Sequence, residues 1–299
     1  ALYDEPDLGD DTTMNPTVSR RRWLGASAAA GWLALWNQLG VPEEAGLPAE
    51  IPLVDYHVHR DGTTLEKLLE ISRRRGVKFG IVEHAGTREN KYPVILSNDD
   101  ELRAYLASLE GKPVYKGIQA EWLDWMSCFS RDLVAQLDYV LTDAMTIRGA
   151  DGKRVKMWTP GFEVGDPERF MDQYVDFHLE ILATEPIDIL ANATWLPAAI
   201  AAQYDALWTP PRMHKVIEAA VKYGVAIEIN SQYRLPRLGF LRRAKEAGAK
   251  FSFGSNIRGP DVGKLDYCLD MVKALGLGRN DLFTPAPPGK KPIQTRRLT

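Results

Sequence analysis

Leu53-Val54-Asp55-Tyr56-His57-Val58-His59 is the stretch on which the reading of this chain turns. It is rich in residues that suit extended backbone. Successive side chains of a strand point to opposite faces, so the spacing puts Asp55, His57 and His59 on one face and Tyr56 and Val58 on the other. Two imidazoles then project side by side from the end of a first strand at 53–57. Outward from it, β-rich runs follow at 78–82, 114–120, 139–142, 187–191, 226–229 and 250–253. Amphipathic helical periodicity fills 64–75, 99–110, 167–183, 211–223 and 238–247, with a last helix at 266–276. Gly76, Gly111, Gly224 and Gly248 stand just past four of these helices, where a left-handed capping residue is wanted. Strands alternating with helices predict a parallel α/β sheet, and seven such strands predict closure into a distorted seven-stranded (β/α)7 TIM-like barrel.

The chain of 299 residues suits one large core, and its organisation reads as a leader and linker at 1–45, a barrel domain at 46–284 and a Pro/Lys/Arg-rich surface arm at 285–299. In the leader, Ser19-Arg20-Arg21-Arg22-Trp23-Leu24 precedes an uncharged, small and apolar run from Gly25 to Trp36. That run is too short to span a bilayer, and an arginine pair before it resembles a twin-arginine export signal. Export to the periplasm or beyond is the expectation, with membrane contact only through the leader; a cytoplasmic domain opening on a basic, Ala-rich helix is the alternative. The formal charge of −3, with both signs mixed, gives no basic stripe for nucleic acid. Cys128 and Cys268 are far apart and form no CxxC, which excludes a zinc ribbon or a dithiol redox motif.

Three polar clusters fall at the carboxyl ends of consecutive strands: His57 with His59, Glu83 with His84, and Gln119 with Glu121. That rim is where barrels carry their active sites. Neutral imidazoles so placed can share a divalent ion, and the bland alternative is a set of histidines satisfied by core hydrogen bonds. Glu228 and Asn230 share a face at the end of the sixth strand and suit either a ligand or a buried structural pair. Arg258 and Arg148 lie in strand-end loops, where a guanidinium holds phosphate or carboxylate in two parallel bonds or is simply solvated. Trp122, Trp125, Trp158, Trp195 and Trp208 follow strands and either line a cleft or pack. His178 and His214 lie within helices and receive no role.

These residues carry a family likeness. Asp55-Tyr56-His57-Val58-His59, then Glu83-His84, then a strand reading Gly117-Ile118-Gln119-Ala120-Glu121, resembles the PHP (polymerase and histidinol phosphatase) family of seven-stranded barrels. Asp188-Ile189-Leu190-Ala191-Asn192 is similar to that family's Asp-Ile-Leu-Ala-His strand, Glu228-Ile229-Asn230 to its Glu-Ile-Asn strand, and Gly254-Ser255-Asn256-Ile257-Arg258 to its closing Gly-Ser-Asp-Ala-His. The resemblance covers most of residues 51–284 and implies two or three metal ions and phosphoester hydrolysis. On it His57, His59 and His84 keep ligand chemistry, and Asp61 stands near a further ligand position. Elsewhere the pattern departs: Gln119 replaces a carboxylate, Met145 and Asn192 replace histidines, and Asn256 and Arg258 replace the closing Asp and His. Neutral amides suit transition metals poorly, so fewer ions than a full trinuclear centre are expected.

Two functions are consistent with this reading. In the first, a metal-dependent hydrolase of phosphoester type, His57, His59 and His84 hold Zn, Mn or Fe with Glu121 or Asp61, Glu83 or Asp143 acts on the water, and Arg258 holds the charge of a small anionic substrate. In the second, a catalytically inactive binding protein, Gln119, Asn192, Glu228, Asn230 and Asn256 hydrogen-bond a small polar or anionic ligand. An amidohydrolase-type barrel also begins with HxH, but it needs an eighth strand with a catalytic Asp, which has no counterpart here.

Overall fold

Thr64 opens the first helix by accepting a hydrogen bond from the Lys67 amide, and Gly76 closes it in the left-handed region at φ 65°. Such local signals recur along the computed structural model, which describes residues 51–149 and 151–296; the leader at 1–45 lies outside the described residues. In chain order the elements are β1 Val54–His59, α1 Leu65–Arg75, β2 Lys78–Val82 with its short continuation β3 His84–Ala85, α2 Asp99–Ser108, β4 Tyr115–Ala120, α3 Arg131–Val134 and β5 Tyr139–Thr142. A hairpin of β6 Thr146–Arg148 and β7 Arg154–Lys156 comes next, then α4 Pro167–Thr184, β8 Ile189–Leu190, α5 Tyr204–Leu207 and α6 Pro210–Tyr223. The chain continues through β9 Ala226–Asn230, α7 Leu238–Glu246, β10 Phe251–Gly254, α8 Asp266–Leu275 and α9 Pro292–Thr295.

The sheet runs β2-β1-β10-β9-β8-β5-β4, and β2 pairs with β4, so seven parallel strands close on themselves. This is the barrel that the alternating pattern predicts. Two layers of core hold it. Outside, Val58, Phe79, Ile81, Ile118, Ile227 and Phe251 pack under helix residues such as Leu68, Leu102, Val216 and Phe240. Inside, Val54, Tyr56, Tyr139, Leu141, Ile189 and Ala226 meet across the barrel, with Tyr115 and Phe283 against them. The Tyr56 ring touches Tyr115, Tyr139 and Phe283 with centroids 5.6, 5.2 and 5.1 Å away, and Tyr139 donates its hydroxyl to the Tyr56 carbonyl at 2.7 Å. This aromatic plug fills the amino-terminal half of the barrel and leaves the carboxyl ends to polar residues.

β1 departs from strict alternation. Val54 and Asp55 face Lys78 and Phe79 of β2, but Val58 and His59 face Ile81 and Val82, so one extra residue sits between them. Such a bulge reverses the facing parity of the strand residues beyond it. Tyr56 therefore points into the barrel while Val58 joins the helix-side layer, and Asp55, in register with Phe79 and Phe253 of that layer, leaves the face of His57 and His59. The expected pairing of Asp55 with the two histidines, and of Tyr56 with Val58, is corrected accordingly.

Two features had no counterpart in the sequence reading. The β6–β7 hairpin rises from the loop after β5, where short runs without a repeating pattern give no strand signal. Residues 285–296 of the expected surface arm are docked: Ile293 is buried, Lys291 donates its ammonium to the carbonyls of Ala135 and Leu137, and Arg296 donates to those of Leu182, Ala183 and Glu185.

Gly117 of β4 faces the interior beside the Tyr139 ring, and a methyl there would overlap that ring. Gly117→Ala is expected to destabilise the fold by about 1–3 kcal/mol through overpacking, and Tyr139→Phe, which loses one hydrogen bond, by about 1 kcal/mol. Urea denaturation of the two variants checks this; equal stability of Gly117→Ala and the parent would mean that the ring does not fill the barrel as described.

Candidate functional site

At the carboxyl ends of the strands the interior positions turn polar. β1 supplies His57 and His59, β3 His84, β4 Gln119 and then Glu121, the loop after β5 Asp143, the loop after β8 Asn192, and β9 Glu228 and Asn230. Parallel register brings them to one level, with His84 beside Gln119 and Ser252 beside Glu228. The three histidine rings form a row, with centroids 5.2 Å apart from His57 to His59 and 4.7 Å from His59 to His84. Tyr92, a residue without any sequence signal, extends the row by stacking on His84 at 3.6 Å.

Most polar atoms of this rim are engaged with one another in a closed circuit. His57 Nδ1 lies 2.6 Å from Glu228 Oε1 and its Nε2 3.1 Å from Gln119 Oε1. The Gln119 amide donates to Asp143 Oδ2 at 3.3 Å, and Asn192 Nδ2 donates to the same oxygen at 3.0 Å. Asn230 Nδ2 donates to both Asn192 Oδ1 and Glu228 Oε2 at 3.0 Å, and the Asn192 backbone amide reaches Glu228 Oε2 at 3.0 Å. The donors and acceptors balance when His57 carries both ring protons, one given to the Glu228 carboxylate and one to the Gln119 carbonyl. Gly254 of β10 makes room for this pair, since a methyl there would overlap the Glu228 carboxylate and crowd His57.

The electrostatics agree. Burial opposes charge on His57, yet the Glu228 carboxylate, by charge and hydrogen bond together, carries its pKa above the usual histidine value. Burial likewise works against the Glu228 charge, but His57, Asn230 and the Asn192 amide hold its pKa below the usual carboxylate value. Asp143 is pushed up to about 6, first by burial and then by the nearby Glu121 charge. His59 behaves in the opposite way: burial, with help from Arg258 and the neighbouring histidines, puts its pKa well below the usual value, so its ring is neutral.

The remaining expected site residues are engaged at the edges of this circuit. Glu121 Oε1 lies 2.7 Å from His84 Nδ1, and its other oxygen accepts from the Tyr92 hydroxyl at 3.0 Å. Glu83 accepts from Arg60 Nε at 2.6 Å, and Asp61 accepts from Arg258 Nε at 3.0 Å. Asn256 binds Arg258 through its carbonyl and its side-chain oxygen. Asp55 holds the base of the site, accepting from the backbone amides of His57 at 3.0 Å and Ser255 at 2.9 Å. Arg148 and Arg154 of the hairpin lie 5.7 and 5.6 Å from the centre of the Trp122 ring, at the rim. Trp125 and Trp208 are core residues with their indole N–H groups bonded to Glu185 and the Thr194 carbonyl.

These residues do not make the centre of two or three divalent ions that the resemblance implies, although His59 and Nε2 of His84 keep ring nitrogens outside the circuit. A metal-bound histidine needs a ring nitrogen with a free lone pair, and both nitrogens of His57 are engaged, with Glu228 and Gln119. Glu83 and Asp61 are turned to arginines, and Gln119, Asn192 and Asn256 offer only amides. Among the described residues no group of three or more His, Cys, Asp or Glu side chains is arranged to hold a metal ion. His59 is different again. It is 3% exposed, and neither ring nitrogen makes a well-formed hydrogen bond within the described residues, the nearby Gln119 side chain being bonded to His57 and Asp143.

Breaking a buried ion pair leaves an uncompensated charge, so Glu228→Gln is expected to cost about 3–5 kcal/mol of unfolding free energy. The sign with pH is set by the two shifts. The raised His57 pKa makes the pair's contribution complete below the ordinary value of 6.5 and lost as pH climbs through the folded value. The lowered Glu228 pKa makes it complete above 4.5 and lost as pH falls through the folded value. Denaturation between those limits and again at alkaline pH should show the gap between parent and variant narrowing; an unchanged gap would mean that His57 is uncharged in the fold.

No family model and no curated protein matches the chain. Among solved structures, histidinol phosphate phosphatase from Lactococcus lactis subsp. lactis Il1403, complexed with zinc, L-histidinol and phosphate, matches with a TM-score of 0.55 at 13% identity, covering 83% of this chain and 100% of its own. An HpcH/HpaI aldolase from Desulfitobacterium hafniense DCB-2 (TM-score 0.34, 14% identity, 68% of this chain and 86% of that one) and a citrate lyase from Burkholderia xenovorans LB400 (0.36, 12%, 77% and 78%) align more distantly and carry no argument. At this identity the phosphatase shows the fold: the chain is a seven-stranded parallel barrel of TIM-like type, similar in architecture to a zinc phosphatase of the histidinol phosphate type.

Proposed function

We propose that this barrel binds a small polar molecule at the carboxyl ends of its strands through hydrogen bonds, without a resident metal ion. The observation that carries the reading is the closed circuit of His57, Gln119, Asp143, Asn192, Asn230 and Glu228. It makes a rigid polar floor out of positions that ion chemistry would need free. A neutral His59 stands over that floor with one donor and one acceptor to offer. Burying unpaired ring nitrogens costs free energy, and a ligand that bonds to them recovers it.

A second reading, the zinc-dependent phosphoesterase, is favoured by that same imidazole, because a neutral ring with free lone pairs is also what an ion takes. The similar phosphatase carries zinc and phosphate. Elemental analysis of protein purified without chelator separates the two. Metal well below one ion per chain, and a melting temperature unchanged by EDTA, is the expected result. Stoichiometric zinc, with hydrolysis of p-nitrophenyl phosphate that is lost in His59→Ala, establishes the phosphoesterase instead.

Export is proposed on the leader alone. Fusing residues 1–45 to a reporter is expected to direct it out of the cytoplasm in a host with twin-arginine export, and replacing Arg20, Arg21 and Arg22 with lysine to retain it. Retention of the unaltered fusion would remove the proposal.

A further inference from the structure

The turn after β10, tied to the end of β1 beside the histidines, carries a cation that belongs to the chain itself. Arg258 comes after β10 and is 39% exposed, in contrast to the floor beneath it. Its position is held from two sides. Asn256, in the left-handed region at φ 50°, donates its backbone amide to the His57 carbonyl at 3.2 Å, which ties this turn to β1 directly over the circuit. The same Asn256 accepts from Arg258 Nη1 through both its oxygens. On the other side Arg258 Nε donates to Asp61 Oδ2 at 3.0 Å. These bonds use Nε and Nη1, and none of them uses Nη2. A non-glycine residue in the left-handed region costs free energy, and at a pocket rim such strain goes with fixing a functional group in place.

Resting on the metal-free reading of the site, we propose that the ligand carries an oxyanion, phosphate or carboxylate, which the Arg258 guanidinium holds in place of a metal ion while His59 donates to it from below. The chemistry is direct. A metal centre binds phosphoryl oxygens through cationic charge at a fixed position, and a guanidinium delivers a positive charge with two parallel N–H donors at a fixed position. Asp61 is the internal stand-in: its carboxylate occupies the Nε edge of the guanidinium until a ligand oxyanion exchanges with it. His59 supplies the second contact, as a buried and unpartnered ring 3% exposed.

Three probes in the presence of EDTA test this by calorimetry: phenyl phosphate, phenylacetate and phenol. Phenyl phosphate or phenylacetate is expected to bind and phenol not, and which of the two anions binds more tightly tells phosphate from carboxylate. Loss of a charge-assisted pair weakens binding about tenfold or more, so Arg258→Gln is expected to lose at least that much, and Arg258→Lys, which keeps the charge without the fork, to fall between. Asp61→Asn removes the competitor and is expected to tighten the anion by several fold, a gain that general damage to the fold does not produce. Circular dichroism and melting temperature of each variant confirm that it is folded. The proposal is overturned if Arg258→Gln binds the anion as the parent does, if Asp61→Asn weakens it, or if no anion binds. Phenol binding as tightly as the anions, with Arg258→Gln indifferent, sinks the oxyanion assignment alone. Anion binding that appears only after zinc is added sinks the metal-free reading on which it rests.

Discussion

The pairing of His57 with Glu228 inside the barrel organises what surrounds it. Two charges at 1% exposure are tolerated only when each remaining lone pair and proton finds a partner, because the cost of removing them from water is otherwise several kcal/mol per ion. The chain meets that demand by drawing in an amide from β4, two more from the ends of β8 and β9, and a carboxylate after β5. Polar groups from five strands are thereby set in one arrangement. The hydrogen-bonding choices of the pocket descend from a single buried proton on His57.

The proposed metal-free reading rests on the same arrangement. A carboxylate or imidazole at the level of Gln119 or Asn192 would leave the circuit one donor short and give back a lone pair to an ion. An amide presents a donor and an acceptor at once, so it closes a ring of hydrogen bonds. With amides at these positions the rim is a self-satisfied network rather than an open set of electron donors.

Much of the fold was legible in the sequence because barrel strands and their helices are local signals. The strand at 139–142 and the helix start at Asp99 are where periodicity places them, and Gly76 and Gly224 cap their helices in the left-handed region. Local rules miss features that depend on partners. The bulge in β1 is set by its register with β2, so alternation alone misplaces Asp55 and Tyr56 relative to the histidines. The stacking of Tyr92 on His84 joins a loop to a strand end that no spacing connects. Residue types at the rim marked the site; whether an imidazole faces an ion, a carboxylate or nothing depends on bonds to residues as distant in sequence as Glu228 is from His57.

The aromatic plug of Tyr56, Tyr115, Tyr139 and Phe283 has a consequence for traffic. It fills the amino-terminal half of the described barrel with packed rings, so the polar groups of the rim are approached from the carboxyl ends of the strands. In the proposed binding role a ligand meets the strand residues with its polar end, and any further bulk is left to the rim loops. In that role, selection by length falls to the loops, while selection by charge and hydrogen bonding falls to the strands.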